Sequence, residues 1–212
     1  MTKDKVLKGL LASKAVAVIR MTDAAKLAQA AAALRKGGVT ALEVTMSVPG
    51  AVEIIRAMAR DKEPGVLVGA GTVLDAGTAS DVIAAGADFV VSPITDGDMI
   101  MACREAEILV VPGAFTPTEI VAAWRAGADI VKVFPATSLG PQFFRDLRGP
   151  LPQIRLMPTG GVTLENAREF LAAGACCVGI GTALLDKKLI DADDWEGLAS
   201  RARRLVESLR GL

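Results

Sequence analysis

An ammonium group in the middle of an apolar strand is the placement in this sequence that most needs a chemical reason. Lys132 stands in Ile130-Val131-Lys132-Val133-Phe134-Pro135, where burial strips hydration from the charge and favours the neutral, nucleophilic amine. A lysine whose stem lies along the sheet and whose head escapes to solvent gives the same local pattern. Position separates the two readings, because the C-terminal ends of barrel strands are where reactive groups gather.

Glu43 is the second charge set in a strand, in Leu42-Glu43-Val44-Thr45-Met46-Ser47, and alternation puts Glu43, Thr45 and Ser47 on one face. A carboxylate there could relay protons for Lys132 through a water. It could equally form a structural ion pair with Lys132, which desolvation makes costly and only weakly stabilising. Arg20, ending Val18-Ile19-Arg20, offers a charge-assisted bond to an anion, or caps a rim. Thr72 brings a hydroxyl to the end of the strand containing Gly69-Ala70-Gly71.

Two glycine segments offer backbone N–H groups to an anion: Pro158-Thr159-Gly160-Gly161-Val162-Thr163 and Gly179-Ile180-Gly181-Thr182-Ala183. Each alone reads as an ordinary turn, but phosphate sites in barrels commonly form after strands seven and eight, where these would lie. Neither Gly179-Ile180-Gly181 nor Gly69-Ala70-Gly71 extends to the dinucleotide fingerprint, so nicotinamide binding is not expected. The sequence contains no histidine, which removes the commonest acid-base group and the commonest zinc ligand. Lysine, carboxylates and hydroxyls are left to do the chemistry; no cofactor is expected, and no metal where a lysine imine does the polarising that a Lewis acid would do, although missing histidines do not by themselves rule out carboxylate-bound magnesium.

The elements that must position these residues alternate along the chain. Short β-branched runs predict strands near Ala15 to Arg20, Ala41 to Thr45, Val66 to Ala70, Phe89 to Ser92, Ile108 to Val111, Ile130 to Phe134, Arg155 to Pro158 and Cys177 to Ile180. Helices are predicted near Ala24 to Lys36, Ala51 to Arg60, Ala76 to Ala85, Gly97 to Ala106, Pro117 to Ala126, Pro141 to Leu147, Leu164 to Ala173 and Trp195 to Leu209. A further helix near Lys3 to Leu11 is placed to plug the barrel bottom. Gly38-Val39, Gly86-Ala87, Gly127-Ala128 and Gly174-Ala175 each end a helix and introduce a strand, at roughly 40- to 50-residue intervals. Four pairs of βα modules close into a (β/α)8 TIM barrel more naturally than they lie open as a doubly wound sheet.

Composition agrees. A chain of 212 residues with 51% hydrophobic and 4% aromatic content suits one α/β domain spanning residues 1–212. Lys plus Arg and Asp plus Glu balance at 24 each, so no global field favours nucleic acid or an anionic membrane. No apolar run approaches the roughly 18 residues of a transmembrane helix, and a soluble, cytoplasmic protein is expected. Cys103, Cys176 and Cys177 lack C-x-x-C spacing, and neighbours on a strand would point to opposite faces, so a disulfide framework is not expected.

Four segments occurring together in order, Leu42-Glu43-Val44-Thr45, Gly69-Ala70-Gly71-Thr72-Val73, Val131-Lys132-Val133-Phe134-Pro135-Ala136 and Pro158-Thr159-Gly160-Gly161-Val162, carry a resemblance. From about Lys14 to Leu185 the chain resembles the 2-keto-3-deoxy-6-phosphogluconate aldolases, also described as 4-hydroxy-2-oxoglutarate aldolases. The resemblance implies Lys132 as the Schiff-base lysine, Glu43 as the general acid-base, and Thr72, Pro93, Phe134 and Thr159 lining the keto-acid pocket. Gly160, Gly161, Gly181 and Thr182 would take a distal phosphate. Some members carry an arginine four residues after the glutamate, where this chain has Ser47. Others pair a small hydroxyl residue there with an arginine ending strand one, the pattern of Ser47 with Arg20, so Arg20 is expected to meet the substrate's carboxylate or its phosphate.

The resemblance thus implies a class I lyase acting on a small 2-keto acid without cofactor, assembled as a homotrimer. Rival readings are the same chemistry on the galactonate epimer or on unphosphorylated 4-hydroxy-2-oxoglutarate, and a phosphosugar isomerase or epimerase without covalent lysine chemistry. A non-catalytic phosphosugar-binding protein would be favoured only if Glu43 or Lys132 were missing.

Overall fold

The structure, a computed structural model, describes residues 1–211. Its strands are β1 (Ala15–Ile19), β2 (Ala41–Thr45), β3 (Leu67–Gly71), β4 (Phe89–Val91), β5 (Leu109–Val111), β6 (Gly113–Ala114), β7 (Val131–Val133), β8 (Leu156–Pro158) and β9 (Val178–Ile180). All pair in parallel, in the orders β5-β4-β3-β2-β1-β9 and β6-β7-β8. Two seams join these sheets. The Thr159–Gly179 bridge ties β8 to β9. On the other side β5 and β6 are halves of one barrel strand, divided by Pro112, which has no N–H for the ladder but accepts one from Lys132 at 2.8 Å. The result is the expected (β/α)8 barrel.

Alternation sorts the strand residues into two cores. Outward positions such as Leu42, Val44, Val131 and Val133 pack under the helices. Inward positions Val16, Ala41, Leu67, Phe89, Leu109, Ile130, Met157 and Cys177 fill the barrel floor with Val6 and Leu10. Those last two come from α1 (Lys3–Ser13), which plugs the bottom as expected, fastened there by a 3.0 Å ion pair between Lys3 and Asp129.

The outer layer comprises α2 (Ala24–Lys36), α3 (Ala51–Asp61), α4 (Ala76–Ala84), α5 (Gly97–Glu105), α6 (Pro117–Ala126), α7 (Gly140–Arg148), α8 (Ala167–Ala172), α9 (Lys187–Asp191) and α10 (Trp195–Ser208). Caps at the barrel's top start several of them. Asp23, Asp75 and Asp96 accept N–H bonds from the first turns of α2, α4 and α5, while Thr116 and Glu119 form a reciprocal capping box on α6 behind Pro117. The four repeat glycines, Gly38, Gly86, Gly127 and Gly174, all sit at φ between 94 and 108°, the left-handed stop that turns each chain back into the sheet.

The sequence reading departs from the structure in places. Strand five stops at Val111 and resumes for two residues past Pro112, and α9 was not anticipated. Helix α8 begins at Ala167, three residues later than expected, because residues 163–166 form a capping turn in which the Thr163 hydroxyl accepts from the Glu165 and Asn166 N–H groups. Cys176 and Cys177 lie in a bend before β9, and their sulfurs meet at 3.8 Å instead of facing apart; both are free thiols. Among the described residues no helix is long and apolar enough to cross a membrane.

Candidate active site

Lys132 and Glu43 both point into the barrel, since their strand neighbours belong to the outer core and the residues two before them to the inner one. Lys132 is 5% exposed and Glu43 1%. Burial pushes the Lys132 amine below the ordinary lysine range; the Glu43 charge opposes this and Arg20 adds to it. Burial likewise pushes Glu43 up, against the attraction of Lys132 and Arg20. The three groups therefore share one electrostatic environment. They form no direct ion pair: Glu43 Oε2 is buried without a hydrogen-bond partner among the described residues, and the Lys132 ammonium lies 4.7 Å from the centre of the Phe134 ring. The structural-pair reading of the sequence predicts contact, and the arrangement instead leaves a gap between amine and carboxylate. A water or a substrate atom can bridge such a gap.

Glycine makes room for the carboxylate and for a hydroxyl near it. A Cβ on Gly71 would stand 1.9 Å from Glu43 Oε1, and one on Gly179 would stand 2.3 Å from Thr159 Oγ1. Thr159 is itself buried, with its hydroxyl unpartnered. The floor of the barrel is packed with large apolar side chains and its upper layer is not, so the reactive groups sit at the boundary.

Above them a cavity of about 210 Å³ is lined by Arg20, Phe134, Thr159, Gly160, Gly161, Gly181 and Thr182, with Val18, Val162, Gly179 and Ala183. Lys132 and Glu43 lie one layer deeper, and the Phe134 ring belongs to both levels. The N–H groups of Gly161, Val162, Thr182 and Ala183 donate no hydrogen bond among the described residues, which leaves a set of backbone donors around one hollow. Arg20, exposed just past the end of β1, also borders a second cavity of about 340 Å³ with Thr182, Lys26 and Lys187.

The remaining expected residues cluster across the barrel mouth, outside that cavity. Ser47 lies past β2 and its hydroxyl meets Thr45 Oγ1 at 2.8 Å. Thr45, buried at 1%, was seen in the sequence only as sharing a face with Glu43. Pro93 closes tightly on Gly113, where a Cβ would come within 2.2 Å of the Pro93 carbonyl carbon. Thr72 holds φ at 60°, a left-handed conformation that is costly for a β-branched residue and characteristic of functional loops. Among the described residues no three His, Cys, Asp or Glu side chains group as metal ligands.

The Gly71 contact gives a direct test of whether the position of the Glu43 carboxylate matters. Gly71→Ala should leave the barrel folded but displace that carboxylate, lowering turnover about a hundredfold, the usual effect of a misplacement near 1 Å. Unchanged turnover in folded Gly71→Ala protein would separate Glu43 from the chemistry.

Comparison with known proteins places this geometry in a family. Residues 6–200 match the aldolase family described as KDPG and KHG aldolase. The 2-dehydro-3-deoxy-phosphogluconate aldolase of Pseudomonas aeruginosa is 38% identical over 192 residues, covering 90% of this chain and 86% of that one. The KHG/KDPG aldolase of Escherichia coli K12 is 36% identical over 182 residues, 85% of this chain and 84% of its own. Among solved structures, the KDPG aldolase of Legionella pneumophila, with pyruvate captured as a covalent carbinolamine intermediate, superposes with a TM-score of 0.87 at 30% identity, covering 94% of this chain and 97% of that one. The chain therefore belongs to the KDPG and KHG aldolase family, and is a lyase of the aldolase type.

Proposed function

We propose that this chain, acting as a single barrel domain, cleaves 2-keto-3-deoxy-6-phosphogluconate to pyruvate and glyceraldehyde 3-phosphate through an imine on Lys132. One observation carries the reading: a desolvated amine and a desolvated, unpartnered carboxylate face the same interior space without neutralising each other directly. A paired ammonium would be held in its unreactive form. An amine whose proton is made less stable by burial is ready to attack a carbonyl.

In this mechanism the neutral Lys132 amine adds to the C2 ketone, giving a carbinolamine. Glu43, acting through a bridging water, supplies the proton with which hydroxide leaves as water, and a protonated imine remains. Glu43 then takes the proton of the C4 hydroxyl. The C3–C4 bond breaks, its electron pair moves into the imine to form an enamine, and the aldehyde departs. Protonation of the enamine at C3 and hydrolysis of the imine release pyruvate and regenerate the amine. The positive nitrogen of the protonated imine draws in the electron pair of the breaking C3–C4 bond, so each step can be written with this chain's own residues.

The pose follows from the two levels of the site. With C2 at Lys132, the keto-acid end lies among Thr72, Pro93, Phe134 and Thr159, with Ser47 at the edge, and the chain of the substrate rises into the cavity of the two glycine segments. The segments of Gly160 with Gly161 and of Gly181 with Thr182 would take the phosphate, through the free N–H groups that they hold there. Arg20, beside both levels, meets either the carboxylate or the phosphate. The protein acts in the cytoplasm as a homotrimer in this reading. Exposed Leu74, Ile94 and Phe115 on successive loops at one end, with Met101 on α5, offer apolar surface for assembly. A solution mass of three times the 22.0 kDa chain would support that assembly, and a mass of one chain would contradict it.

Steady-state comparison of the gluconate-derived substrate, its galactonate epimer and 4-hydroxy-2-oxoglutarate tests the assignment. The highest kcat/KM is expected for the first, and Lys132→Arg, which keeps the charge but cannot form the imine, should abolish cleavage of all three. Persisting cleavage by Lys132→Arg would point to a reaction without covalent lysine chemistry. Glu43→Gln should cost roughly 10²–10⁴-fold in kcat if Glu43 moves the protons.

The pH dependence has a definite sign. Because the Lys132 value is depressed by burial, imine formation should rise with pH along a limb lying below the ordinary lysine range. The Glu43 charge raises the Lys132 value, so Glu43→Gln should move that limb to lower pH. A shift to higher pH in single-turnover imine formation would contradict the assigned coupling.

A further inference from the structure

Two consecutive glycines with positive φ are a weak support for an anion site unless something removes their freedom. Gly160 and Gly161 hold φ at 82 and 76°, and glycine has more alternative backbone conformations than any other residue. Two side chains that lie outside the cavity supply the missing constraint.

Asn166 is the first. Its Nδ2 donates to the Gly161 carbonyl at 2.9 Å while its Oδ1 accepts the Thr163 N–H at 2.8 Å. A trans peptide sets its C=O and N–H on opposite sides. Pinning the Gly161 carbonyl towards Asn166 therefore turns the Val162 N–H the other way, and Val162 borders the cavity with its N–H unpartnered. Thr137 closes the far side of Gly161, where a Cβ would stand 2.8 Å from the Thr137 Cα and hydroxyl.

Arg201, on α10, is the second. Its Nε and Nη2 both donate to the Ala183 carbonyl, at 2.9 and 2.6 Å. An arginine fork matches a carboxylate or phosphate; here two of its donors converge on one backbone oxygen, with Asp186 more distant at 3.9 Å. The segment it grips is a tight turn in which the Leu184 and Leu185 N–H groups both return to the Gly181 carbonyl. That leaves the N–H groups of Thr182 and Ala183 unspent on the cavity side.

We infer that Asn166 and Arg201 are positioning residues that lock the two glycine segments in their anion-accepting conformation, and thereby set the preference for a phosphorylated over an unphosphorylated 2-keto acid. This rests on the aldolase reading above, with the phosphate in the upper cavity. Because both residues act through the loops, their loss should weaken phosphate binding and leave the chemistry at Lys132 and Glu43 unchanged.

The test is steady-state kinetics of Asn166→Ala, Arg201→Ala and Arg201→Lys beside the wild type, on 2-keto-3-deoxy-6-phosphogluconate and on 4-hydroxy-2-oxoglutarate. Either alanine variant should raise KM for the phosphorylated substrate roughly ten- to hundredfold, the loss of one hydrogen bond to a charged group. Its kcat should stay near wild type, and both constants for the unphosphorylated substrate should be unchanged. Arg201→Lys, which keeps one donor and is the variant safest for folding, should fall between. Equal losses on both substrates, or an unchanged KM for the phosphorylated one, would overturn the inference.

Calorimetric titration with inorganic phosphate reads the same loops without turnover. Weaker phosphate binding in the variants than in the wild type is expected. If the wild type cleaved neither substrate, that weakening would uphold the positioning role while the aldolase reading fell, and unchanged phosphate affinity would overturn the positioning role itself.

Discussion

The architecture of the site depends on keeping two opposite charges in one dry interior without letting them touch. Moving an ammonium and a carboxylate out of water costs several kcal/mol each, and direct contact would recover much of this while fixing both groups in their ionised, unreactive states. Here Lys132 and Glu43 feel each other across a gap, and the remainder of the cost falls on the barrel. Its large buried cores, outer and inner, supply the stability that such a local expense requires. The Glu43 carboxylate has room because Gly71 of β3 carries no Cβ, and the Thr159 hydroxyl has room because Gly179 of β9 carries none.

A gradient along the barrel axis follows from the same placement. At the bottom, α1 and the apolar layer of Leu67, Phe89, Leu109 and Met157 exclude water from below Lys132. At the top, the glycine segments and the exposed Arg20 open to solvent. Covalent chemistry suits the dry level and anion recognition suits the wet one, where backbone donors and a guanidinium can meet a hydrated charge. Phe134 connects them, its ring over Lys132 on one side and on the cavity wall on the other. One point of strain lies at this end, the left-handed backbone of Thr72, where a stable scaffold below can hold it.

Much of this was legible in the sequence, for identifiable reasons. A charge inside an apolar run, as at Lys132 and Glu43, is visible because burial is encoded by its neighbours. The barrel was visible because the helix-ending glycines recur and because period-two and period-3.6 patterns alternate. What escaped depended on contacts between distant segments or on elements too short to show a period. Helix α9 spans only Lys187–Asp191. The division of strand five turns on Pro112 and Gly113, which read as the end of a strand, although Gly113 continues it by pairing with Lys132 of β7. The meeting of Cys176 and Cys177 at 3.8 Å required knowing that the strand begins one residue later, at Val178. Arg201 carried no local signal at all, since its partner, the Ala183 carbonyl, lies 18 residues away in sequence. Asn166 was hidden differently, inside a segment that the apolar pattern assigned to helix.

The most direct test of the central claim is to incubate the protein with pyruvate, reduce it with borohydride and map the adduct by peptide mass spectrometry. Reduction fixes an imine only at the lysine that forms it. The account predicts a single pyruvyl adduct on Lys132. A folded protein whose Lys132 stays unmodified, or whose adduct sits on another lysine, would contradict it.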